Sequence, residues 1–132
     1  MRKTMKDKNI KPTDSELEIL QILWKSGYST VKNVNDELNK LRSVGYTTTL
    51  KTMQIMFEKE LLGRERSGRS HTYVPLIKEN ETKNMLLDKV LQTVFAGSAS
   101  KLVMQALGQN KASKKEISEI KKFLNDLENE EI

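Results

Sequence analysis

The chain contains no cysteine. That excludes disulfide bridges, cysteine-ligated zinc fingers and thiol nucleophiles together, and it fits a reducing cytoplasm. Aromatic residues make up 5% of the chain, with Trp24 the single tryptophan. So little aromatic material favours helices packed on Leu, Ile, Val and Met over an aromatic-rich sheet. No apolar run approaches the ~18 residues that a membrane span needs. The first residues, Met1 to Lys8, are charged and lead into no apolar segment, so neither a signal peptide nor membrane insertion is expected. His71 is the one histidine, and no glycine-rich phosphate loop is present. No nucleophile–base pair can be assembled from what remains; Asp14 and Glu16 are neighbours but read as helix-start residues. The chain is therefore not expected to be an enzyme, and nothing in it calls for a cofactor or a metal.

What is present is a polar, helix-forming chain of 132 residues, 36% hydrophobic and 31% charged, enough for one or two small domains. The net charge of +5 is unevenly placed: residues 1–76 hold 14 Lys and Arg against 9 Asp and Glu, and residues 77–132 hold 9 of each. The whole excess lies in the first half, which points to a polyanionic partner for that half. The excess is modest, so tight non-specific binding by a monomer is not expected.

The stretch from Tyr46 to Pro75 organises the rest. A helix is expected from about Thr47 to Leu61. At ~100° per residue, Thr47, Lys51, Gln54 and Glu58 share one narrow stripe, while Thr49, Met53, Met56 and Phe57 fall opposite. One face is built to pack. The other carries a hydroxyl, a cation and an amide, groups that reach base edges and phosphates in a DNA major groove. Leu61 to Arg66 and His71 to Pro75 then flank the turn Ser67-Gly68-Arg69-Ser70, the pattern of a β-hairpin. Arg64, Arg66 and Arg69 crowd it and are candidates for phosphate contacts. A polar stripe on an amphipathic helix is ordinarily only a solvated face; here the order of the parts argues for more.

Residues 1–11 are Lys-rich and aperiodic, a flexible basic tail or an arm touching DNA. Thr13 and Glu16 form a capping box at the start of a first helix, which continues through Leu17, Ile19, Leu20, Leu23 and Trp24 and ends at Gly27. Trp24 reads as a core residue. Thr30 is placed to cap a second helix, with Val31, Val34, Leu38 and Leu41 on its apolar side. The hydroxyl-rich opening of the third helix, Tyr46-Thr47-Thr48-Thr49, can hold a phosphate or serve as an ordinary cap. Three helices followed by a hairpin give a winged helix-turn-helix domain over residues 1–76.

Residues 77–132 change character. Leu76 to Asn80 reads as a short linker. Glu81 to Phe95 is helical, with Leu86, Leu87, Val90, Leu91 and Val94 on a wide apolar face. Ser98 opens a helix to about Leu107, carrying Leu102 and Val103. Ser113 and Glu116 make a second capping box, leading into Ile117, Ile120, Leu124 and Leu127 with Phe123 beside them. So small a helical set is marginal alone. Wide apolar faces without a partner in the chain point to homodimerisation through Leu87, Val90, Leu91, Val94, Leu102, Val103, Ile117, Ile120 and Leu124; a compact appendage on the first domain is the competing arrangement. The fold class expected is mainly α with a small β-hairpin wing: a winged-helix domain, then a three-helix dimerisation domain.

Taken in order, several motifs resemble the penicillinase-repressor family, the BlaI/MecI/CopY-type transcriptional repressors. The first is Pro12-Thr13-x-x-Glu16-Leu17-x-Ile19-Leu20-x-x-Leu23-Trp24. Tyr46-Thr47-Thr48, Lys59-x-Leu61-Leu62 and Gly68-Arg69-x-His71-x-Tyr73-x-Pro75 follow, then Val94-Phe95-x-Gly97-Ser98 and Glu116-Ile117-x-Glu119-Ile120. The similarity runs over about residues 10–128. It implies homodimers that bind palindromic double-stranded DNA operators and repress transcription, often released by cleavage that a membrane-bound sensor metalloprotease triggers. Carried over by position, Thr47, Thr48 and Lys51 would face the operator with Gln54 beside them, and Arg69 would sit at the wing tip near the backbone. The chain departs from the family at three points. Gln105-Ala106 stands where staphylococcal-type members are cut at an Asn-Phe bond. Ile55 stands where many relatives carry Arg. The cysteine cluster of copper-responsive members is missing, which excludes thiolate metal sensing. The rival reading is a winged-helix module that binds only proteins; it predicts no salt-dependent affinity for DNA, and the charge asymmetry speaks against it.

Overall fold

Thr13 caps the first helix as its spacing to Glu16 requires. The Glu16 backbone N–H donates to Thr13 Oγ1 at 3.1 Å, and the Thr13 N–H donates to Glu16 Oε1 at 2.9 Å, satisfying two orphan donors reciprocally. In the computed structural model, which describes residues 11–109 and 112–130, this helix is α1 (Asp14–Ser26). It is followed by β1 (Ser29–Thr30), α2 (Val31–Leu38), α3 (Tyr46–Glu58), β2 (Leu62–Ser67), β3 (Ser70–Pro75), α4 (Glu79–Thr93), α5 (Ala99–Gln109) and α6 (Lys114–Glu130). The expected basic arm lies, but for Lys11, outside the described residues.

The chain divides into two compact units between Leu86 and Leu87, inside α4. Contacts beyond Pro75 draw the later residues into the first unit: Trp24 Nε1 donates to the Ile77 carbonyl at 3.0 Å, and Thr82 is buried. In this unit the core is built from Ile19, Leu20 and Leu23 of α1, Val31, Val34 and Leu38 of α2, and Met53 and Met56 of α3, closed by Leu61, Leu62 and Tyr73. Leu41 does not join them. The α-helix stops at Leu38, and Leu41 is 72% exposed.

The third helix also ends earlier than its periodicity implies. Glu60 adopts φ +65°, a left-handed conformation that stops a helix, and Leu61 turns into the core with its N–H on the Met56 carbonyl at 2.9 Å. The sheet has a strand that the sequence does not announce. Two-residue β1 pairs with β3, and the order is β1-β3-β2, antiparallel throughout. A two-residue strand is too short to carry a period. The β2–β3 hairpin pairs Ser67 with Ser70, so its loop is only Gly68 and Arg69. Gly68, at φ +64°, occupies the first loop position, where such tight hairpins need glycine.

The other end of the Glu16 carboxylate reaches α3's C-terminal side: Lys59 Nζ donates to Glu16 Oε2 at 2.8 Å. Burial pushes this carboxyl up. The Lys59 hydrogen bond and charge, with the Thr13 contacts, outweigh that and hold it below its ordinary value. A depressed carboxyl stabilises the fold above its unfolded-state pKa, and the gain is lost as pH falls through the lower folded value. Glu16→Gln, which keeps the shape but not the charge, is expected to cost about 1–2 kcal/mol at neutral pH. Lys59 is partly exposed, so water takes over part of the missing bond and the cost stays below that of a fully buried pair. Denaturation at pH 7 and in the acid limb checks this: the gap between wild type and variant should close on acidification. A constant gap would leave the charge without a role.

The second unit closes no core of its own. From Leu87 onward, no described residue is buried. The break after α4 falls at Ala96 and Gly97, both in the left-handed region. The second capping box forms as its spacing implies, with the Glu116 N–H on Ser113 Oγ and the Ser113 N–H on Glu116 Oε1, each at 3.1 Å.

Candidate nucleic-acid interface

Helix α3 sorts its residues sharply. Thr49, Met53 and Met56 are buried, while Thr47, Thr48, Lys51, Gln54, Ile55 and Glu58 are exposed. Neither Lys51 nor Gln54 uses its side chain in a hydrogen bond or ion pair among the described residues, so both are available to a ligand. The N-cap is Gly45, with no side-chain bond, which leaves the first backbone N–H groups of α3 open at the positive end of the helix dipole. Glu58 ends the polar stripe with a negative charge, so an anionic partner is best met over the N-terminal two-thirds of the helix.

Two asparagines, Asn35 in α2 and Asn39 just after it, tie α2 to the start of α3. Asn35 Nδ2 donates to the Val44 carbonyl at 3.0 Å and to Thr49 Oγ1 at 2.8 Å. Asn39 Nδ2 donates to the same carbonyl at 2.8 Å, and Asn39 Oδ1 accepts from the Val44 N–H at 3.1 Å. Sequence reasoning passed over both asparagines; their only signal is an i, i+4 pair in a short helix whose other face is valine and leucine.

The three wing arginines differ in their surroundings. Arg64 lies over the Phe57 ring, 4.0 Å from its centroid, a cation–π contact that uses the guanidinium face and leaves its edge donors free. Arg66 Nε donates to the Gly68 carbonyl at 3.1 Å, so it also stiffens the turn. Arg69, at the tip, is exposed and has no polar partner among the described residues. His71 meets Tyr73 edge-on, with centroids 6.4 Å apart, and Tyr73 is buried; the histidine is a packing residue of the wing.

A groove of about 390 Å³ runs between helix and wing. It is lined by Gln54, Tyr46 and Leu50 of α3, by Arg69, Ser70, His71 and Tyr73 of the wing, and by Thr30, Val31 and Lys32. Gln54 and Arg69 therefore share one face. No carboxylate lines the groove, and two cations do. Lys32 is paired with Asp36 at 3.1 Å, an exposed i, i+4 bridge weak enough to exchange partners. Lys32 is an addition to the site that the sequence reading did not make; one residue into α2, it becomes visible only when β1 brings that helix start against β3.

In the second unit, Leu87, Val90, Val94, Val103 and Leu124 are exposed, as are Met104, Phe123 and Leu127. Leu91, Leu102, Ile117 and Ile120 are half-buried. Among the described residues no helix is long and apolar enough to cross a membrane.

Three helices with a wing beside the third define the winged-helix class. A solved structure of a MarR family protein from Bacillus stearothermophilus shares this fold, with a TM-score of 0.55 at 20% identity, over 93% of this chain and 77% of that one. By sequence, the chain belongs to the penicillinase repressor family, whose profile matches residues 12–126. The penicillinase repressor of Bacillus licheniformis is 27% identical over 118 residues, 89% of this chain and 91% of the relative. The methicillin resistance regulatory protein MecI of Mammaliicoccus sciuri is 22% identical over 121 residues, 92% and 98% of the two chains. The family is one of transcriptional repressors, not enzymes.

Proposed function

We propose that the chain is a sequence-specific DNA-binding repressor that acts as a homodimer on a palindromic operator. The observation that carries this reading is the shared face of α3 and the wing. Gln54 lines one side of a carboxylate-free groove and Arg69 the other, and Lys51 is exposed on the same helix as Gln54. Gln54 offers the donor–acceptor pair that matches adenine in the major groove. Thr47, Thr48 and Lys51 position the helix, Arg64, Arg66 and Arg69 meet phosphates, and Lys32 and Tyr46 extend the footprint. The exposed apolar residues of the second unit are the surface for the partner copy, and two copies give two half-sites about one helical turn apart.

Release through a membrane-bound sensor protease belongs to the same proposal. Gln105 and Ala106 are exposed but lie within α5, so cutting between them requires that helix to open locally.

The test is capture of genomic DNA fragments on the purified protein, followed by a salt titration on the best fragment. An enriched inverted repeat bound with steep salt dependence is expected. Arg69→Ala should weaken all sequences alike and reduce the salt slope by about one unit. Weak, salt-independent binding with no motif would favour the protein-interaction module instead.

A further inference from the structure

We propose that Asn35 is a positioning residue for operator recognition, setting the angle of α3 without touching DNA; the proposal rests on the DNA-binding reading above. Seven residues, Asn39 to Gly45, separate α2 from α3, and most are exposed. Such a connection does not by itself hold α3 at one pitch. The Asn35 side chain does so from inside the preceding helix. Its amide nitrogen donates both to the Val44 carbonyl, just before the Gly45 N-cap, and to Thr49 Oγ1, within the first turn of α3. The Val44 carbonyl can only accept, which places the amide nitrogen on that side. Thr49, itself buried, passes the link on by donating to the Gly45 carbonyl at 3.4 Å. One amide thus grips the approach to α3 and its first turn together. Asn39 adds a second grip on Val44 but none on the helix.

The leverage is geometric. Thirteen residues of α-helix are about 20 Å long. Gln54 lies about 12 Å from the Tyr46 end, so a tilt of about 5° at the root displaces it by about 1 Å. Hydrogen bonds to base edges do not survive such a shift, because their donor–acceptor distances span only about half an ångström. Flexible Lys and Arg contacts to phosphates do survive it. Loss of the Asn35 grip should therefore cost sequence discrimination and leave non-specific affinity nearly intact. Asn35 is half-buried and off the exposed stripe, so a direct base contact does not account for such an effect.

The experiment uses the full chain, the best captured fragment and a scrambled version of it. Asn35→Ala should reduce the fragment-over-scrambled affinity ratio about tenfold, change scrambled binding less than about threefold, and leave a cooperative thermal transition. Thr49→Val, which removes the acceptor while keeping the buried volume, should reproduce part of the loss. The double variant should be little worse than Asn35→Ala, since the two share one bond. An Asn35→Ala protein that discriminates as well as wild type would overturn the proposal. So would equal losses for both DNAs in Asn35→Ala, or, should that variant not fold, in Thr49→Val. A wild type that prefers neither DNA would instead overturn the DNA-binding reading and the proposal with it.

Discussion

A Leu87→Glu/Leu124→Glu double variant is expected to be a folded monomer that binds its operator a hundredfold or more weakly than wild type. Both leucines are about half exposed in the single chain, at 52% and 51%, so neither substitution opens a cavity in a monomer. In a dimer each copy would bury both. Full burial of a leucine is worth about 1.5–3 kcal/mol, and a buried unpaired carboxylate costs several more, which is enough to undo a small interface. The effect on DNA follows from linkage: a dimer that holds one half-site finds the second at an effective concentration in the millimolar range, worth about 10² to 10⁴ in avidity. Sedimentation and operator titration measure the two effects separately. If the variant remains a dimer, these helices are not the interface. If it is a monomer with wild-type operator affinity, the repressor does not use two half-sites.

The second expectation concerns Gln54. Its side chain is exposed and has no polar partner among the described residues, on a helix whose inner face is closed by Thr49, Met53 and Met56. A bidentate amide–adenine contact discriminates by about 1–3 kcal/mol, or roughly ten- to a hundredfold. Gln54→Ala should therefore flatten the preference at a single base pair in each half-site and leave the other positions and random DNA unchanged. Titration against operators substituted one base pair at a time reads this directly. Equal weakening of operator and random DNA would mean that Gln54 only approaches the backbone.

Much of the fold was legible because its signals are local. The Thr13–Glu16 and Ser113–Glu116 boxes, the Thr30 cap and the break at Gly27 all operate within one helical turn. The inner and outer faces of α3 follow from a period that every helix shares. Tight hairpin geometry at Gly68 is likewise a property of adjacent residues. These features were read from neighbours in the chain because neighbours in the chain produce them, and with the charge placement they pointed to the class of protein and to the surface proposed to meet its partner.

The rest was decided by residues far apart. Glu16 meets Lys59 across 43 positions and Trp24 meets the Ile77 carbonyl across 53. Strand β1 exists only because β3 arrives beside it. Arg64 was expected among the phosphate contacts, and its stacking on Phe57 is a property of where the wing lies against α3. Leu41 continues the apolar spacing of α2 but falls beyond the helix end and stays outside. The sequence by itself determined which faces are apolar, where helices begin and which half carries the positive charge. Only the tertiary structure decided the pitch of α3, the Asn35 contacts at its root and the groove joining Gln54 to Arg69, because crossing angles arise from the packing of whole side-chain surfaces and no local pattern encodes them.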